Sequence, residues 1–332
     1  MQPNRIATLP KTTRTPLSNY SLKFSPHEQN KLAMASAQYF GVVGKGGVSL
    51  LQLNEVDLQV VREFETPDAC FDVCFNEGNP NQLLSAHGDG ALRLWDLLQQ
   101  APLAVFKEHA GEVFSVEWSH INKRKILSAS YDRCVKVWDA QNPAAAELTF
   151  NHDFVVYAAC WHPTHESILA SCSGDQTARI WDTRSGRDVK KIHAHNNEVL
   201  SVDFNKYENF IATGSTDNSI KLWDLRSTGD MPIMTLTGHQ LACRRVKFSP
   251  YHANILASAS YDMSVMIWDL NTQQCINRFD HHTEFVVGLD FNLFVEKQLA
   301  ACSWDKGVSV FRYDDNPRAI ALPPPMKRPG YK

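Results

Sequence analysis

No run of about 18 apolar residues occurs in the 332-residue chain, so no transmembrane helix is expected. Residues 1–19 carry Arg5, Lys11 and Arg14 but no apolar stretch, which argues against a secretory signal. Charge of one sign is lacking as well. Basic residues number 33 and acidic residues 36, a formal net charge of −3, so nothing global favours nucleic acid or an anionic membrane. None of the eight cysteines forms a C-x-x-C pair, and no Cys/His cluster has metal-ligand spacing. A zinc site is not expected, and the cysteines read as small buried hydrophobes in a reducing compartment. The glycine-rich piece FGVVGKGG at 40–47 lacks P-loop spacing and a following helix. It reads as a long turn between two strands, and no cofactor is expected.

What is present is a repeat. An Asp stands six residues before a Trp-Asp pair at Asp89, Asp132, Asp175, Asp217 and Asp262. The tryptophans Trp95, Trp138, Trp181, Trp223 and Trp268 are spaced by 43, 43, 42 and 45 residues. A period of this length marks a propeller array, because one repeat cannot bury its apolar face alone. Full repeats cover 66–107, 109–150, 152–193, 195–237 and 239–280. A degenerate first repeat spans 15–64. A seventh begins at His282 and keeps Asp305, with Phe311-Arg312 in place of Trp-Asp. The expectation is an all-β, seven-bladed β-propeller of four antiparallel strands per blade over 15–315. An N-terminal arm at 1–14 and a proline-rich tail at 316–332 flank it. The strand that closes the ring is expected from the tail, at 318–322, or from the arm, at 5–9.

Each intact repeat carries four residues at fixed offsets. They are His109, Ser128, Asp132 and Trp138, then His152, Ser171, Asp175 and Trp181. His195, Thr213, Asp217 and Trp223 come next, and then His239, Ser258, Asp262 and Trp268. Ser, His and Asp together suggest hydrolysis, but a catalytic triad does not recur in blade after blade. The set is structural: a buried Asp needs partners, and imidazole, hydroxyl and indole supply them. No unrepeated constellation supports an enzyme.

These residues resemble the WD-repeat β-propeller family, which implies a rigid platform for peptides and proteins. The first blade departs from the pattern, Thr66 stands in the second blade's His position, and Ala301 takes the seventh blade's hydroxyl position. In that family the loop after the His and the turn before the Asp open on one face. The residue five after each His position is then Tyr20, Phe71, Phe114, Tyr157, Leu200, Arg244 or Val287. The residue before each Asp is Gly88, Tyr131, Gly174, Thr216, Tyr261 or Trp304. Aromatics at a solvent rim have hot-spot composition. Asp68, Glu112, Asp153, Glu198 and Glu284 lie beside them and suit a basic, amphipathic helix. The small Gly88 and Gly174 are expected to leave a low side for it, and Arg244-Arg245 to meet an acidic partner.

Three longer stretches carry a narrower resemblance: HHTEFVVGLDF with ACSWDKG, RRVKFSPYHANILASASYD, and FSPHEQNKLAMASAQYFGVVGKGG. They are similar to the peroxisomal import receptors for the type-2 targeting signal. The resemblance implies a soluble receptor shuttling between cytosol and peroxisome matrix. It also implies cargo with an N-terminal type-2 signal, a co-receptor peroxin and a peroxisomal docking complex, with no nucleic acid and no membrane insertion. A second reading is a substrate receptor of a cullin-type ubiquitin ligase. It rests on Trp181-Asp182-Thr183-Arg184 and Trp223-Asp224-Leu225-Arg226, which match an adaptor-docking form.

Overall fold

The computed structural model describes residues 10–229 and 231–314. Seven four-stranded antiparallel sheets form the blades of a propeller. Blade 1 is β2 (Ser18–Phe24), β3 (Lys31–Ala37), β4 (Gly46–Leu53) and β5 (Leu58–Thr66), paired in that order. The sequence repeats this order in every blade up to the seventh. There the fourth strand is β1 (Lys11–Arg14), whose register Lys11↔Val310 to Arg14↔Gly307 sets it against the strand Gly307–Arg312. The N-terminal side of the chain thus closes the ring, using Lys11–Arg14. The two segments expected for this role, 5–9 and 318–322, lie outside the described residues. Closure removes the bare edge that blade 7 would otherwise present. Among the described residues the one helix is a 3-10 turn at Gln38–Gly41, and none is long and apolar enough to cross a membrane.

Burial explains why the blades hold together. Each of seven apolar clusters straddles two neighbouring blades. Val202, Phe204 and Trp223 of blade 5 pack on Ala170 and Ile180 of blade 4, and Leu22 and Met34 of blade 1 on Ala300 and Val308 of blade 7. Side chains alternate along a strand, so each sheet has two apolar faces and both are covered by its neighbours. Polar ties reinforce four of these contacts. An inner-strand acid accepts a backbone N–H of the next blade: Asp72 from Val116 (3.0 Å), Glu117 from Trp161 (2.6 Å), Asp203 from Phe248 (2.8 Å) and Asp290 from Phe24 (2.9 Å).

In the tetrads the indole, hydroxyl, imidazole and carboxylate form a hydrogen-bonded relay in which only the imidazole meets the Asp. In blade 3 the Trp138 indole donates to Ser128 Oγ (2.9 Å). The hydroxyl meets His109 Nε2 (2.7 Å), and His109 Nδ1 meets Asp132 (2.7 Å). A neutral imidazole with its proton on Nδ1 satisfies the whole chain. Blades 4, 5 and 6 repeat it through His152, His195 and His239. The Asp also folds its own turn by accepting the N–H two residues on, as Asp175 does from Thr177 (3.0 Å). The intervening residue is left-handed, Arg133, Gln176, Asn218, Met263 or Lys306 at φ near +70°. Burial raises the Asp132 carboxyl, but the hydrogen bond from His109, with the Ala110 and Cys134 N–H groups, outweighs it and holds the group at about 2. Seven of the eight cysteines are buried and all are free thiols.

Candidate functional site

Every inner strand carries one irregularity, and it falls at the same place in all seven blades. The register of β2 skips Tyr20, between Asn19 and Ser21, and the others skip one residue at Phe71, Phe114, Tyr157, Leu200, Arg244 and Val287. A bulge leaves one residue unpaired and turns its side chain away from the sheet alternation. All seven bulge residues line a single cavity of about 430 Å³ at the mouth of the channel. The residue five after each His position is therefore a bulge residue, which is why a fixed offset finds the wall of the site.

The wall is mostly aromatic. Ring centroids run Tyr157–Phe114 at 5.8 Å, Phe114–Phe71 at 5.3 Å, Phe71–Tyr20 at 5.1 Å and Tyr20–Trp304 at 5.7 Å. Tyr261 lies 6.3 Å beyond Trp304. Burial, then the Glu198 carboxylate, pushes the Tyr157 phenol up to about 12, and burial likewise raises Tyr20. Both therefore stay neutral donors at physiological pH.

Of the acids, Glu112 lines the cavity, and its carboxylate has no ion-pair partner among the described residues. Asp68, Glu198 and Glu284 lie outside the wall. Asp68 accepts the Ala69 N–H (2.7 Å), Glu198 takes the Tyr157 hydroxyl (3.4 Å), and Glu284 is exposed. Tyr131 is exposed and also outside it, 6.4 Å from the Phe114 ring. Asp153 is neutralised by Arg179 and Lys191.

Two expectations are overturned. Gly88 and Gly174 leave no low side to the ring. A Cβ at Gly174 would meet Phe154 Cδ1 at 2.5 Å and one at Gly88 would meet Asp68 Oδ1 at 3.0 Å, so neighbouring loops already fill the space. Nor do Arg244 and Arg245 act as a pair. Arg244 lines the cavity and donates to the Leu200 carbonyl (3.2 Å), whereas Arg245 is buried below it, 3.8 Å from Asp72.

The site also contains residues that the offsets do not reach. Phe40, Gly41 and Val42 of the glycine-rich piece line the cavity, with Phe40 5.4 Å from Trp304. The piece is held there by three consecutive left-handed residues, Tyr39, Phe40 and Gly41, where intact blades have one. Phe285 stacks on Tyr261 at 4.6 Å. The signal in the sequence was the insertion itself, which interrupts the usual short Asp turn with two aromatics and two valines.

The WD domain, G-beta repeat family matches residues 100–139, 146–182, 186–224 and 230–269. A mouse protein named peroxisomal targeting signal 2 receptor is 42% identical over 91% of this chain and 96% of its own length. Peroxisome biogenesis protein 7 of Arabidopsis thaliana is 43% identical over 92% of this chain and 98% of its own. A peroxisomal targeting signal 2 receptor of Dictyostelium discoideum is 41% identical over 85% and 90%. The ligase-adaptor reading gains no support from these relatives. Arg184 and Arg226 fold back on Asp182 and Asp224 of their own dipeptides.

Proposed function

Because this chain belongs to the family of peroxisomal targeting signal 2 receptors, we propose that it binds the N-terminal type-2 signal of peroxisomal matrix proteins on the aromatic face. It takes the signal as an amphipathic basic helix and delivers the cargo with a co-receptor peroxin and the docking complex, shuttling between cytosol and peroxisome. The observation that supports this most is the set of seven bulge residues around one mouth, with the unpaired Glu112 in its wall. The apolar side of a helix meets Phe71, Phe114, Tyr157, Leu200, Tyr261 and Trp304. Its basic residue meets Glu112, with Asp68, Glu198, Glu284 and Tyr131 around the approach. A charge pair in a partly desolvated cavity gives register as well as affinity. The test is titration of a fluorescent signal peptide, with and without cell extract to supply the co-receptor. Changing Asp68 and Glu112 together to Ala weakens binding by roughly 2 kcal/mol, about 30-fold. Unchanged affinity refutes the assignment of the acids, and a wild-type chain that binds no signal peptide even with extract refutes the receptor reading itself.

A further inference from the structure

A second hollow, of about 360 Å³, lies at the other end of the channel, where the loops joining first and second strands meet. Buried Arg245, 3.8 Å from Asp72 and 3.5 Å from Ser21, lies between the aromatic mouth and this hollow. Its walls include Trp118, Phe248 and Leu293 and the prolines Pro26, Pro163 and Pro250. Its charge is slightly negative. Lys23, Lys206 and Lys247 stand against Glu77, Glu117 and Asp290, and Asp203, which pairs with both Lys206 and Lys247, adds a fourth carboxylate beside the wall. Glu77 has no ion-pair partner among the described residues.

The described chain leaves the ring on the same face as this hollow. Strand Gly307–Arg312 ends on this face, and the next residue, buried Tyr313, donates its N–H to the Lys297 carbonyl (3.2 Å). Lys297 belongs to the loop that carries Leu293 into the hollow's wall. The sequence of 316–332 has five prolines, four basic residues (Arg318, Lys327, Arg328 and Lys332) and no acid. Nine residues from Asp314 to Pro323 span roughly 30 Å when extended at about 3 Å each. That is ample to cross several blade loops. Proline-rich segments lose little entropy on ordering and dock in aromatic-lined grooves.

We propose that this hollow is a docking site for a proline-rich basic segment, and that its occupant is the chain's own residues 316–332. Trypsin cleavage after Arg318 and Lys327 reads the docking directly, comparing the full chain with a free peptide of the same sequence. Docking slows cleavage in the chain by about ten-fold, since proteolysis tracks the undocked fraction. Leu293→Asp, at a side chain 48% exposed and so outside the core, restores the free-peptide rate, as does excess free 316–332 peptide. Equal rates in chain and peptide overturn the proposal, and so does protection that survives Leu293→Asp with an unchanged melting temperature. If the tail is cleaved at the free rate while an unrelated proline-rich basic peptide binds the chain, the hollow belongs to a partner in trans and the assignment to this tail fails.

Discussion

Blades 3 to 6 each hold a complete tetrad, while blades 7, 1 and 2 do not, and the incomplete blades are the more informative. In blade 2 the His position is Thr66, which bonds the Asp68 carbonyl (2.8 Å). His87, on the same strand as Ser85, takes over, and its Nε2 meets Ser85 Oγ at 2.6 Å beneath the Trp95 indole. Asp89, released from any histidine, pairs with Arg93. In blade 7 Ser309, directly across from Ala301 in the register, supplies the hydroxyl to His282 Nε2 (3.1 Å). The buried groups are thus satisfied by other residues rather than left bare, as burial demands. The same three blades contribute Tyr20, Phe40, Phe71 and Trp304, the densest part of the aromatic wall, with Phe285 behind Trp304 at 5.2 Å. Relief from the fixed tetrad leaves their loops free to carry the insertion that lines the mouth.

If closure lies in β1 rather than in any tetrad, the largest loss comes from deleting residues 1–14. Four register pairs with Gly307–Arg312 disappear and an edge is bared. A cost of about 2–6 kcal/mol is expected from the lost ladder hydrogen bonds, read as a lower denaturation midpoint. A deletion that melts like wild type would show that another segment closes the ring. Next comes Asp175→Ala in an intact blade. It strands His152, Thr177 and Arg179 together, and about 2–4 kcal/mol is expected. The same change at Asp89, which serves only its turn and the pair with Arg93, costs about 1 kcal/mol. Equal losses at Asp175 and Asp89 would erase the distinction between intact and substituted blades.

These contrasts also mark how far the sequence could be read. The ring, the tetrads and the seven bulge residues come from offsets that recur because each blade solves the same burial problem. Positions where a partner changes strand do not recur. Ser309 is legible only once the register Ala301↔Ser309 is known, and His87 only once Thr66 fails to reach Ser85. The closing strand is four residues long and pairs with a segment almost 300 residues away, so it carries no local pattern. The supposed low side at Gly174 failed because the glycine makes room for Phe154 from the neighbouring loop. A glycine's own missing side chain does not say whose side chain takes the space.

His87 also offers the finest test of the comparison. Burial, with the adjacent Arg93 cation, holds it down at about 3, and its Nδ1 has no partner among the described residues. Burial lowers His152 in intact blade 4 as well. A histidine whose folded pKa lies below its unfolded 6.5 binds fewer protons folded than unfolded in that window. Its contribution is whole above pH 6.5 and drains as the pH falls towards 3. Between pH 7 and 6 the loss from such a group is about 0.7 kcal/mol. His87→Gln should keep a hydrogen bond to Ser85 and remove this share of the slope, leaving those of His152, His162 and His281, which burial also lowers. Denaturation midpoints at pH 7 and 6 decide the matter. If the variant keeps the wild-type slope, His87 is not the proton-sensitive member of blade 2, and its place as the stand-in for the missing tetrad histidine falls with it.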